Sequence, residues 1–174
     1  MDKSELIELF ADLDKELETS VDLILIGGAA MILHYGALRT TRDIDVLFLR
    51  GDTSEIRSAI KAVAENRQLN DDWMNDAAKG FTAIFLSDFY HRLIPQDFDF
   101  QNIRLYIIGK PEQIALKIVA LREQDLEDLE ILLSDISEAD KKVLLDIMEQ
   151  ANAFRPDWAQ KMKYFLEEQG WKIE

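Results

Sequence analysis

The chain has 174 residues, 48% hydrophobic and 31% charged, with 20 basic against 34 acidic residues and a formal charge of −14. That length supports one domain with a sizeable core, or a compact unit carrying a helical appendage. The acidity opposes bulk DNA or RNA binding, which rests on phosphate neutralisation; the lack of cysteine excludes disulfides and thiolate metal sites; and no apolar run approaches the roughly 20 residues of a membrane span.

The opening MDKSELIELF mixes charges with a helical period and lacks the basic segment and long apolar core of a signal peptide, so a cytoplasmic location of bacterial type is expected. Leu6, Ile7, Phe10, Leu13 and Leu17 predict a helix over residues 2–19. The run from Leu23 to Ile26 ends in two glycines and reads as a buried strand. A short helix is expected from Ala29 to Tyr35, stopped at Gly36, then a second strand from Asp43 to Leu49 and a turn at Gly51-Asp52. Thr53 or Ser54 is placed to cap a helix over residues 54–66. NDDWMNDAAKGF predicts a helical turn, FTAIFLSDF a third strand and IRLYIIG a fourth.

Beyond residue 110 the pattern becomes helical. Pro111 suits a first helical position, PEQIALKIVALREQ presents a periodic apolar face, and DLEDLEILL continues that helix or starts another. Ser137 caps a helix over 138–150, and Pro156 opens a last one that stops at Gly170. The expected fold class is α/β (α+β), with a small mixed sheet of about four to five strands flanked by helices. The sheet falls within residues 1–110, behind an N-terminal helix, and a helical part over 111–174 packs on it.

The chemistry concentrates in GGAAMILHYGALRTTRDIDVLF, residues 27–48. It lacks both G-x-G-x-x-G and G-K-[ST], so neither common phosphate-binding fingerprint is met. Asp43 and Asp45 sit at i and i+2 of a predicted strand, on one face and roughly 6–7 Å apart at Cα, while Ile44 and Val46 turn into the core. Two like charges so placed are costly unless a cation joins them, and Mg²⁺ takes oxygen ligands while keeping positions open for phosphates. Gly27 and Gly28 allow backbone N–H groups to approach a phosphate, with a helix N-terminus behind them. A phosphate cradle facing a metal pair suits phosphoryl or nucleotidyl transfer by in-line displacement.

The pattern G-G-x-A, a short helix, then R-T-x-R-D-I-D-V resembles the signature of the nucleotidyltransferase superfamily with the DNA polymerase β type fold. With WMNDAA at 73–78 and KIVALREQDLEDLEIL at 117–132, it is similar to small bacterial nucleotidyltransferase-like proteins related to abortive-infection toxin nucleotidyltransferases. The resemblance covers roughly residues 20–135, and the first motif is its most specific piece.

The resemblance implies that Gly27 and Gly28 hold nucleotide phosphates and that Asp43 and Asp45 bind Mg²⁺ or Mn²⁺. It implies further that Arg39, Thr40 and Arg42 contact triphosphate or acceptor, that Lys117 and Arg122 reach phosphates, and that Asp125 completes the catalytic set. The activity implied is transfer of an NMP from an NTP to a hydroxyl on RNA, protein or a small molecule.

One departure matters. Superfamily members carry a third carboxylate on a later strand. FTAIFL and IRLYIIG contain no acid, and Arg104 and Tyr106 stand where one would be sought. Asp88, Asp97, Asp99 and Asp125 are the alternatives. A chain without that acid would be a catalytically degenerate nucleotide- or partner-binding protein, one form of which is half of a toxin–antitoxin pair whose basic partner meets the acidic surface. A protein partner and a homodimer both stay open. His34, Asn75, Asp76 and the three tryptophans read as packing or capping residues.

Overall fold

A computed structural model describes all 174 residues. In chain order the elements are α1 (Lys3–Glu16), β1 (Val21–Ile26), α2 (Gly27–Leu33), β2 (Ile44–Arg50), α3 (Thr53–Arg67) and β3 (Met74–Asn75). Two 3-10 segments (Ala77–Ile84 and Phe89–Arg92), β4 (Ile94–Pro95) and β5 (Ile103–Ile107) come next. The chain ends in α4 (Lys110–Ala120), α5 (Glu123–Leu133), α6 (Glu138–Phe154) and α7 (Pro156–Glu168). Contacts divide it into two compact units, Met1–Lys79 with Leu93–Ile108, and Gly80–Arg92 with Gly109–Glu174. No helix is long and apolar enough to cross a membrane.

The first unit holds a five-stranded mixed sheet in the order β3-β2-β1-β5-β4. β1 runs antiparallel to β2 and parallel to β5, while β2 runs parallel to β3. The α/β class expected from sequence is the one found. β1 lies centrally, so every residue of VDLILI is buried, and its one acid, Asp22, accepts a hydrogen bond from Arg104 Nε of β5 at 2.8 Å. Leu6, Phe10 and Leu13 of α1 are fully buried against Leu23, Val46 and Leu105.

Asp14, on the same buried side of α1, does a job no sequence pattern announces. Its carboxylate accepts the backbone N–H groups of Gln101 (2.8 Å), Asn102 (2.7 Å) and Ile103 (2.8 Å), fixing the entry of β5. Asp14→Ala takes the acceptor from three backbone donors at the entry to β5, of which Ile103 is buried and Asn102 half-buried. The expected loss of stability is about 2–3 kcal/mol by urea titration.

The second unit contains the expected helices. Ser137 Oγ accepts the N–H of Asp140 at 3.0 Å and caps α6, and Pro111 and Pro156 lie in the first turns of α4 and α7. DLEDLEILL starts a new helix, because Leu121 adopts a left-handed conformation (φ 44°) that ends α4. Inside this unit the side chain of Glu112 is fully buried, with Oε1 accepting Arg92 Nε (2.8 Å) and Nη2 (2.6 Å) and Oε2 without a partner. Burial pushes this carboxyl above its ordinary value, and the Arg92 bonds and charge offset only part of that.

Two local expectations are corrected. FTAIFL forms no strand: FTAI ends the 3-10 segment Ala77–Ile84, which begins in the stretch where a helical turn was expected, and Phe85 and Leu86 lie outside it. The carbonyls of Ala83 and Phe85 accept the Gln150 side-chain amide of α6, and Phe81 stacks on Trp158 of α7 with centroids 4.9 Å apart. A side-chain donor and helix packing thus replace a ladder, and a short apolar run has no period that separates the two outcomes. Asp52, rather than Thr53 or Ser54, caps α3, its Oδ1 accepting Glu55 N–H at 2.9 Å. Glu55 in turn accepts the N–H groups of Glu18 (2.7 Å) and Thr19 (2.9 Å), joining the α1–β1 turn to α3.

Candidate functional site

β1 ends at Ile26, directly opposite Asp45 of β2 in the antiparallel register. The next residue, Gly27, has φ +65°, a left-handed conformation that costs a side-chain-bearing residue free energy. A Cβ built there would lie 2.9 Å from Asp45 Oδ2, so the glycine backbone packs straight onto the carboxylate. A Cβ on Gly28 would lie 2.9 Å from Thr41 Oγ1 and 3.4 Å from Arg39 Nη1. The two halves of the motif, distant by some fifteen positions in the chain, thus meet at the start of α2. Ile26, the residue before that helix, supplies no side-chain cap to it.

Asp43 occupies the bend just before β2 and is exposed, whereas Asp45 lies within the strand and is partly buried. Ile44 and Val46 between and beyond them are fully buried, the alternation that lets an apolar strand carry an acid. Thr41 Oγ1 donates to the carbonyl of Asp43 at 3.0 Å and braces the bend. The sequence pointed to Thr40, which is exposed; Thr41 is the threonine against Gly28, and its place two residues before Asp43 was the available signal. Arg39 Nη1 donates to the Thr40 carbonyl at 3.2 Å, and Arg42 is exposed at the same bend.

On the other side of β2, Asp45 stands in register with Asn75 of β3. β5, where a third acid was sought, is separated from β2 by β1. The position flanking Asp45 therefore holds an amide, whose Oδ1 accepts the Ala77 N–H at 3.0 Å. Asp76 pairs with Arg57 at 3.0 Å and Lys79 at 3.5 Å. Asp97 and Asp99 are exposed between β4 and β5. Asp88 belongs to the second unit and pairs with Arg92 at 3.0 Å. No group of three or more His, Cys, Asp or Glu side chains is arranged to hold a metal ion.

Lys117, Arg122 and Asp125 also belong to the second unit, where they bind one another. Lys117 Nζ lies 2.7 Å from both Asp125 Oδ1 and Asp128 Oδ2, and all three residues are at least 95% buried. Asp125 Oδ2 accepts the Arg122 backbone N–H at 2.9 Å and its Nε at 3.2 Å. Burial pushes the Asp125 carboxyl up, but the Lys117 hydrogen bond, the Arg122 N–H and the two cations outweigh it and hold the carboxyl below its ordinary value. His34, which ends α2, is exposed and stands edge-on to Tyr35.

A cavity of about 500 Å³ opens beside Asp43, between the Thr40–Asp43 bend and the Leu69–Trp73 loop. Trp73 forms its inner wall, held by an Nε1 hydrogen bond to the Ile60 carbonyl at 2.9 Å.

The Gly27 contact makes a sharp prediction. Gly27→Ala places a methyl against Asp45 Oδ2 and strains φ, so a cation held by Asp43 and Asp45 would be bound more weakly by about tenfold or more. Mn²⁺ electron paramagnetic resonance titration measures this, with circular dichroism as the control for folding.

No curated protein and no solved structure shows significant similarity to the chain. The family model described as a nucleotidyltransferase of unknown function (DUF6036) matches residues 4–168, nearly its whole length, and takes in both the glycine pair and the D-x-D pair. The chain belongs to that nucleotidyltransferase family.

Proposed function

We propose that the protein is a Mg²⁺-dependent nucleotidyltransferase that moves an NMP from an NTP to a hydroxyl acceptor and releases pyrophosphate. The observation that carries this reading is the direct packing of Gly27 on Asp45, with Gly28 against Thr41 and Arg39. The donors fit the ion, since Mg²⁺ is commonly held by one or two carboxylates together with substrate phosphates rather than by a closed protein cage. When bound, it would neutralise charge on the phosphates and polarise the group being transferred.

The chain's own residues do the rest. Asp43 and Asp45 hold the cation. The glycine backbone admits a phosphate at van der Waals distance from them. Arg39, Thr40 and Arg42 line the approach and offset triphosphate charge. Lys117, Arg122 and Asp125 pair with one another within the second unit, which suits a supporting role there. In the test, the protein is titrated with Mn²⁺ and each NTP. Binding is expected, and it should be lost in the Asp43→Ala, Asp45→Ala double variant; absence of binding in the unaltered protein sinks the proposal.

A second reading has its own observation. With Asn75 in register beside Asp45 and no three-group cluster, the same site supports nucleotide binding without turnover. Binding with no pyrophosphate release across all acceptor classes favours it.

A further inference from the structure

One wall of the cavity beside Asp43, Thr40 to Asp43, belongs to the bend assigned above to the nucleotide and its cation, and Thr41 in it also lies against Gly28; the facing wall, Leu69, Asn70, Asp72 and Trp73, has no role in nucleotide binding as described above. Anything seated in the cavity therefore lies next to the group that would hold the cation. The wall contains Thr40, Arg42, Asp43, Asn70, Asp72 and the buried Trp73. The side chains of Asn70 and Asp72 are exposed, and neither enters a hydrogen bond or ion pair.

We propose that this cavity is the acceptor site of the transferase, and that the acceptor is a small hydroxyl-bearing molecule, neutral or cationic, rather than a nucleic acid. The inference rests on the transferase reading above and narrows it. Three features favour the small molecule. About 500 Å³ lies within the range of small-ligand pockets and takes no helical nucleic acid. The whole-molecule charge of −14 repels a chain of phosphates, and the Asp43 and Asp72 carboxylates in the wall, beside Arg42 and the Met1 amino group, leave the cavity without a net positive charge to attract one. The hydroxyl, amide and carboxylate groups around an indole wall match a polar ligand with one apolar face.

In the transfer, the acceptor oxygen bonds to the α-phosphorus of the NTP, and the bond from that phosphorus to the oxygen bridging to the β-phosphate breaks. Pyrophosphate leaves with that oxygen, and the hydroxyl proton passes to the Asp72 carboxylate. Asp72 thus takes the general-base role that the strand beside Asp45, which carries Asn75, does not offer.

The experiment incubates the full chain with Mn²⁺ and each α-³²P-labelled NTP, offering three acceptor preparations from bacterial extract: deproteinised low-molecular-weight metabolites, purified RNA, and the protein fraction. Label is expected in the metabolite fraction. Asp72→Asn and Asn70→Trp should each lower that labelling by at least about tenfold, with NTP affinity changed by less than about twofold. Asp72→Asn should also remove the acidic limb of the pH–rate profile. Both positions are exposed, so folding is retained. Label in RNA or protein, or labelling untouched by both variants, overturns the inference while leaving the transferase reading intact. Failure of the unaltered protein to bind any NTP overturns both.

Discussion

Asp45→Asn should cut nucleotidyl transfer by at least about a few hundredfold, since a cation that neutralises transferring phosphates supplies several kcal/mol, and about 1.4 kcal/mol is worth tenfold in rate. The substitution keeps volume and removes charge. Asp45 is set between the Gly27 backbone and Asn75, so no other strand residue can swing in to replace it. The same variant should lose Mn²⁺ binding, read by electron paramagnetic resonance, with little change in stability because Asp45 is only partly buried. Asp43→Asn should act in the same direction and more weakly, since Asp43 lies exposed in the bend and has no strand partner to hold it. Retention of both cation binding and turnover in the Asp45 variant would remove the metal pair from the mechanism.

Lys117→Met is expected to be among the most damaging single changes to stability. Asp125 and Asp128 are both buried and both bonded to Lys117 Nζ at 2.7 Å. Removing the ammonium leaves two buried carboxylates close together with Arg122 as the remaining cation. Breaking a buried pair on one side typically costs about 3–5 kcal/mol. Chemical denaturation should show that loss, and adding Asp125→Asn and Asp128→Asn to Lys117→Met should recover part of it, because the uncompensated charges are gone. The pH dependence has a definite sign. The Asp125 carboxyl is depressed in the folded chain, so its contribution is present at neutral pH and is lost as the pH falls through the folded value, below the ordinary aspartate range. A Lys117→Met variant as stable as the parent at neutral pH would show that the network contributes little.

Those two predictions separate what was legible in the sequence from what was not. Asp43 and Asp45 stood out because a period of two within an apolar run is an energetic anomaly, and such anomalies mark sites. β1, β2 and β5, the long helices and the Ser137 cap were legible because each has a local signature, an apolar run, a 3.6-residue period or a hydroxyl three residues before an acid. The stretch FTAIFLSDF was not, since its apolar residues carry no distinguishing period and its Ala83 and Phe85 carbonyls meet the Gln150 side chain instead of a neighbouring strand. Nor was β3, whose two residues are too short to show alternation and become a strand only because β2 offers them an edge.

Lys117 and Asp125 show the same divide from the other direction. Lys117 and Arg122 with an acid following them on helical sequence are as consistent with cations that reach phosphates as with an internal ion pair to Asp125. The turn at Leu121 folds α5 back so that Asp125 and Asp128 reach Lys117, and only that geometry shows the pairing. Asp14 is similar, since its three acceptor bonds go to residues nearly ninety positions away.

By itself, then, the sequence determined the α/β class, the glycine pair and the acid pair, because these depend on residue type and near-neighbour spacing. The tertiary structure alone decided that Gly27 touches Asp45, that an amide rather than a third acid flanks it, and that a cavity opens beside Asp43. Each of these depends on which strand lies next to which, and strand order is fixed by long-range burial rather than by local pattern.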